Sequence, residues 1–217
     1  MSAIVDQPTS KFSTLSSELP YRSGRVIDVR SDRVGMPDGS EATRDVVVHP
    51  GAVGVIALDD RERLLLLQQY RHATGRLLWE PPAGLLDVTG EDPLVGAKRE
   101  LYEEAHLEAG RWDVLVDAYT SPGMTDEAVR IYLARDVRES SEPRFEAAHE
   151  EVDMPTQWVP LPEAVEAVLA GRIHNPLAVM GILALSAASR TSYADLRPAD
   201  APWPEMSDFP GSAKSGV

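Results

Sequence analysis

Three apolar runs follow one another between Val46 and Tyr70 before any helical pattern begins. Residues 46–48 and 53–58 are rich in β-branched side chains and are split by Pro50-Gly51; Asp59-Asp60 and the charged residues 61–63 then turn the chain into residues 64–70. Short apolar runs separated by breakers read as strands. Three strands ahead of the first helix predict a mixed sheet rather than a regular β-α alternation. Upstream, residues 25–48 read as short strands about a turn at Met36-Pro37-Asp38-Gly39. Downstream, residues 114–119, 129–134 and 157–161 read as further strands. A short helix is expected over 162–169, stopped by Gly171, and a longer one from Asn175-Pro176 to about Ser189.

Composition narrows the function. With 217 residues, 43% of them hydrophobic, the chain can bury a real core. It has no cysteine, which excludes disulfides, thiolate catalysis and iron–sulfur clusters. The formal charge of −14 opposes nucleic-acid binding, because no basic surplus exists to displace counterions from phosphates. An anionic small molecule stays accessible if divalent metal carries the charge between the two. No secretory leader pattern and no membrane-length apolar run occurs, so a cytoplasmic protein is expected.

The most informative stretch begins at Gly84 and runs through Glu91 to Arg99-Glu100-Leu101-Tyr102-Glu103-Glu104. Asp92 suits a helix N-cap with Pro93 at the first turn, and the pattern continues to about Leu107. At 100° per residue Glu100, Glu103 and Glu104 share one arc, while Leu94, Ala97, Leu101 and Ala105 form the apolar stripe beside it. Like charges packed this way repel. They are also the hard oxygen set that magnesium favours. By spacing alone, a solvated acidic face is the commoner reading, and the acids by themselves do not decide for metal.

The whole pattern resembles the signature box of the Nudix hydrolases: a glycine, a glutamate, seven residues, then Arg-Glu-apolar-x-Glu-Glu-x-Gly-apolar. Glu91, Arg99, Glu100, Leu101, Glu103, Glu104 and Leu107 stand at the matching places. Six residues rather than five separate Gly84 from Glu91, which lengthens the turn into the helix. His106 stands where the family has glycine; a left-handed helix end there would cost a histidine about 1 kcal/mol. The resemblance implies an α/β fold, a Nudix-type α/β/α sandwich around a mixed β-sheet with a small β-rich N-terminal portion. It implies a core over residues 51–190, a β-rich dimerisation portion over 1–50, and a flexible Pro-rich tail over 191–217.

The same resemblance implies roles residue by residue. Glu100, Glu103 and Glu104, with the carbonyl of Ala83, would hold Mg2+, with Mn2+ as its substitute; Glu91 would join that acidic network and Arg99 would orient it. Pro122 follows Leu107 by 15 residues, and residues 69–72 and 78–84 also resemble the ADP-ribose pyrophosphatase branch. That branch implies hydrolysis of ADP-ribose or a related nucleoside diphosphate compound, with Arg44, Arg71 and Glu80 as substrate contacts. It implies Glu151, ahead of Glu150, as the general base, and a homodimer. Hydrolysis of another nucleotide sugar or dinucleotide, or sensing of ADP-ribose without cleavage, remains the alternative.

Overall fold

The computed structural model describes residues 11, 13–22, 26–144 and 154–206. The chain divides into two compact units, Met1–Pro50 with Ser121–Glu127, and Gly51–Thr120 with Ala128–Val217.

In the first unit β1 (Ser13–Arg22), β2 (Asp28–Gly35) and β3 (Glu41–Val48) form an antiparallel sheet in that order. The expected turn joins β2 to β3: Gly39 takes φ +84, and Ser40 donates its backbone N–H to Asp38 Oδ1 at 2.9 Å. Glycine meets the left-handed requirement there without strain. Residues 121–127 join this unit through Val47, whose N–H donates to the Met124 carbonyl at 2.8 Å, and through Asp126, which accepts the His49 N–H at 2.9 Å.

The second unit is the layered part. A five-stranded mixed sheet runs β11 (Arg197–Pro198), β8 (Leu107–Tyr119), β9 (Ala128–Glu139), β4 (Ala52–Ala57) and β7 (Ala83–Leu85). Its β4–β9 pair is parallel and the others are antiparallel. Strands β5 (Arg63–Arg71), β6 (Arg76–Glu80) and β10 (Thr156–Pro160) make an antiparallel sheet in the order β10-β5-β6. All six residues of β4 are buried because both faces are covered. Val53, Val55 and Ala57 pack with Ala97 and Leu101 of α1 (Pro93–Ala105). Ile56 and Leu58 pack on the other side with Ala164 of α2 (Leu161–Leu169) and Ala178, Ile182 and Leu185 of α3 (Pro176–Ser189). This alternation is the period-two rule of a strand, and it gives the α/β/α sandwich with a β-rich N-terminal unit.

Several boundaries differ from the sequence reading: β8 begins at Leu107 rather than residue 114, and β9 continues to Glu139 rather than residue 134. Helix α1 ends at Ala105, and His106 keeps the left-handed cap at φ 56, its N–H donating to the Tyr102 carbonyl at 2.8 Å. The histidine thus occupies the glycine geometry instead of extending the helix. The stretch expected as a flexible tail from residue 191 packs on the core as far as Met206: Arg197–Pro198 pair with β8, and Ala199, Ala201, Trp203 and Met206 join the apolar cluster under α1. Its contacts fall on a few scattered side chains and carbonyls, so no periodic pattern announces them.

Candidate active site

Helix α1 begins as its sequence predicts. Asp92 Oδ1 accepts the Leu94 N–H at 2.9 Å, and Pro93 occupies the first turn, where its missing N–H costs nothing. The apolar stripe holds the helix on β4 and leaves its acidic arc at the edge facing β7. There Arg99 gathers three carboxylates. Its Nη1 donates to Glu100 at 2.5 Å and to Glu103 at 3.1 Å, while Nε and Nη2 donate to the two oxygens of Glu91, each at 3.1 Å. The guanidinium is held in its charged form more firmly than usual, first by the Glu91 hydrogen bonds and then by Glu100, against the opposing effect of burial.

Glu104 turns the other way. Its Oε2 accepts the Ala83 N–H at 2.9 Å, which ties α1 to β7. Beside it Gly84 lets the strand approach closely: a Cβ at that residue would lie 2.1 Å from both Cδ and Oε1 of Glu100. The sequence reading named the Ala83 carbonyl; the structure adds its N–H as the anchor of a glutamate.

Three carboxylates thus face one guanidinium, with Glu104 beside them on the Ala83 N–H, an excess of negative charge in a half-buried place that asks for a further cation. The donors are all oxygen, the set chosen by a hard divalent ion, and the Gly84 cradle keeps a side chain out of the space Glu100 fills. These residues fit a divalent cation. Among the described residues no three acidic or histidine side chains already converge as a formed metal centre. Arg99 stands among the carboxylates and holds them on itself.

The expected substrate contacts divide. Arg71 and Glu80 meet across the β5–β6 hairpin: Nε donates to Glu80 Oε1 at 2.9 Å, and Nη2 donates to Oε2 at 2.5 Å. The Glu80 side chain is only 2% exposed, whereas that of Arg71 is 44% exposed. Glu80 is therefore a buried anchor for Arg71, which keeps an outward face. Arg44 lies on β3 of the first unit, exposed, with Nη1 donating to the Thr43 carbonyl at 2.9 Å. Glu150 and Glu151, the two expected bases, lie outside the described residues. Pro122 sits in a turn closed by the Met124 N–H on the Ser121 carbonyl at 3.0 Å.

One charged group escaped the sequence reading. Arg130 is buried at 2% exposure within the apolar run 129–134, bonded to Asp117. A lone arginine at an inward position of a buried strand is the signal that could have found it.

The NUDIX domain family matches residues 48–178. The chain is 50% identical over 192 residues to an ADP-ribose pyrophosphatase of Mycobacterium tuberculosis (strain ATCC 25618 / H37Rv), covering 88% of this chain and 91% of that relative. It is 35% identical over 160 residues to a methanol dehydrogenase activator of Bacillus methanolicus, covering 74% of this chain and 85% of the other. A crystal structure of an ADP compounds hydrolase superposes with a TM-score of 0.71 at 21% identity, over 86% of this chain and 99% of that one, which is a likeness of fold.

Proposed function

The chain belongs to the NUDIX family, and from that premise we propose that it hydrolyses the pyrophosphate of ADP-ribose to AMP and ribose 5-phosphate with Mg2+, or Mn2+ in its place. The observation that carries the reading is the acidic cluster itself: Glu91, Glu100 and Glu103 on one guanidinium, with Glu104 held by Ala83. The substrate follows from the half-identical relative named for that activity. Glu100, Glu103, Glu104 and the Ala83 carbonyl would hold the metal. When bound, such a cation polarises phosphoryl oxygens and lowers the pKa of water.

The chain's own residues supply the rest. Arg99 keeps the glutamates gathered against their mutual repulsion. Arg71, fixed at its inner side by Glu80, presents a planar donor to phosphate or ribose oxygens. Arg44 is a second contact of this kind. Glu151, ahead of Glu150, takes the proton of the attacking water. We place the protein in the cytoplasm as a homodimer formed through the N-terminal unit; among the described residues no helix is long and apolar enough to cross a membrane.

The test is product analysis after incubation with ADP-ribose and Mg2+ in oxygen-18 water, beside a panel of other nucleotide sugars and dinucleotides. AMP and ribose 5-phosphate are expected, with the label on one phosphate, and Glu104→Gln should lower the rate by orders of magnitude. Another substrate cleaved far better would refute the ADP-ribose reading. Binding of ADP-ribose with Mg2+ but no turnover would replace the enzyme by a sensor.

A further inference from the structure

Arg130 makes an unusual set of bonds for a residue inside an apolar strand. Nε and Nη2 donate to the two Asp117 oxygens at 2.8 and 2.9 Å. Nη1 donates to the Ala201 carbonyl at 2.8 Å, and Nη2 also to the Pro202 carbonyl at 3.1 Å. The Trp203 ring lies 4.7 Å from Cζ, and Arg197 adds a 2.7 Å bond to Asp117. Burial opposes the guanidinium's charge, yet Asp117 more than restores it. A buried charge needs its partners in place. Here two of them are carbonyls of the segment that follows β11.

The position of this anchor is informative. Asp117, Arg130, Val53 and Gly84 are register partners across β8, β9, β4 and β7. Residues in one such row share a face of the sheet, and above Gly84 that face holds Glu100. The anchor is therefore two strands, about 10 Å, from the Glu100 cradle and on the same side. Residues 199–206 pack on the apolar cluster that also receives Ala97 and Leu101 of α1. At its far end Met206 meets Gly51: a Cβ there would lie 2.7 Å from Sδ, and Gly51, at φ +86, accepts the Leu86 N–H at 3.0 Å. Leu86 directly follows β7, the strand of Ala83 and Gly84.

We propose that residues 197–206 form an intramolecular strap that sets β7 and α1 in the relation the metal-binding glutamates require, with Arg130 as its positioning residue; this rests on the metal-dependent reading above. The test compares the unaltered chain with Trp203→Ala, Met206→Ala and a chain ended after Leu196. Mn2+ binding without substrate, KM for ADP-ribose at saturating metal, and amide exchange at Leu86 are measured on each. The Mn2+ dissociation constant should rise about ten-fold, as for loss of groups that support metal ligands. Leu86 exchange should quicken as its local opening becomes easier. KM should stay within about two-fold, since substrate binding remote from the metal is untouched. Trp203→Phe, which keeps a ring over Arg130, should recover most of the metal affinity.

A Trp203→Ala or Met206→Ala protein that melts earlier but keeps its Mn2+ affinity and Leu86 protection overturns the proposal, for the strap would then only add stability. The point variants decide the matter if the shortened chain fails to fold. An unaltered chain that takes up no Mn2+ sinks the metal reading by itself. Leu86 exchange in the same samples then upholds or overturns the strap without it.

Discussion

Replacing Gly84 with alanine adds one methyl group to β7 where Glu100 already stands. The new Cβ would lie 2.1 Å from Cδ and Oε1 of Glu100 and 2.6 Å from its Cγ. Ordinary carbon contacts begin near 3.5 Å, so the carboxylate must retreat by more than about 1 Å or change rotamer. The backbone itself offers no resistance, because Gly84 is not among the glycines with positive φ. Stability should therefore hardly move. Losing the Arg99–Glu100 pair, with Arg99 30% exposed, costs at most about 1 kcal/mol. The stiffer unfolded chain returns about 0.4–1 kcal/mol. The melting temperature should shift by no more than about 4 °C. Activity should fall much further, since a 1 Å misplacement of a reacting geometry costs about a hundred-fold, or roughly 2.7 kcal/mol of barrier. The assay is Mg2+-dependent AMP release, with thermal melting on the same sample and Gly123→Ala, which points into open space, as control. A Gly84→Ala enzyme as active as the control would refute the role given to Glu100.

Other perturbations probe the supports of the site. Arg71→Met strands the buried Glu80 carboxylate, and loss of one partner of such a pair costs about 3–5 kcal/mol, here toward the lower end because Arg71 is half in water; a urea midpoint that does not fall would contradict the pairing. His106→Gly removes a left-handed histidine whose Nδ1 is buried without a hydrogen-bond partner. It should stabilise the chain by about 1 kcal/mol, and a lowered melting temperature would count against this account. The Asp59 carboxyl is held below its ordinary value of 3.8: burial works to raise it, but the Arg63 N–H and guanidinium and the Arg61 N–H outweigh that. A depressed carboxyl contributes stability that is complete above the unfolded value and drains away as pH falls through the folded one. The melting advantage over Asp59→Asn should accordingly be constant above pH 3.8 and shrink below it; a gap unchanged by acid would exclude this role.

The Glu100–Glu104 stretch shows where sequence reasoning reaches and where it stops. The wheel placed Glu100, Glu103 and Glu104 on one arc, and the structure has them at one edge of α1. It did not separate them: Glu100 and Glu103 bond Arg99, whereas Glu104 crosses to the Ala83 N–H. That division is made by β7, which pairs with β4 and presents its backbone to the helix. The resemblance that makes Glu80 a substrate contact says nothing of Arg71 as its partner. Only the β5–β6 hairpin brings both its oxygens onto Arg71.

Helix α1, its Asp92 cap and its acidic arc were written in the sequence, because caps and periodicity act over a few neighbouring residues. The β4 run was legible as a strand for the same reason, but which of its side chains face α1 and which face α2 and α3 was not, because both faces are apolar. Tertiary structure alone decided the partners of Arg130 and the docking of residues 197–206. The Arg130–Ala201 bond spans 71 residues and is a backbone carbonyl accepting from a buried guanidinium. A carbonyl is the same at every residue, so its recognition leaves no mark in the text of the chain; it exists only once the sheet has carried both ends together.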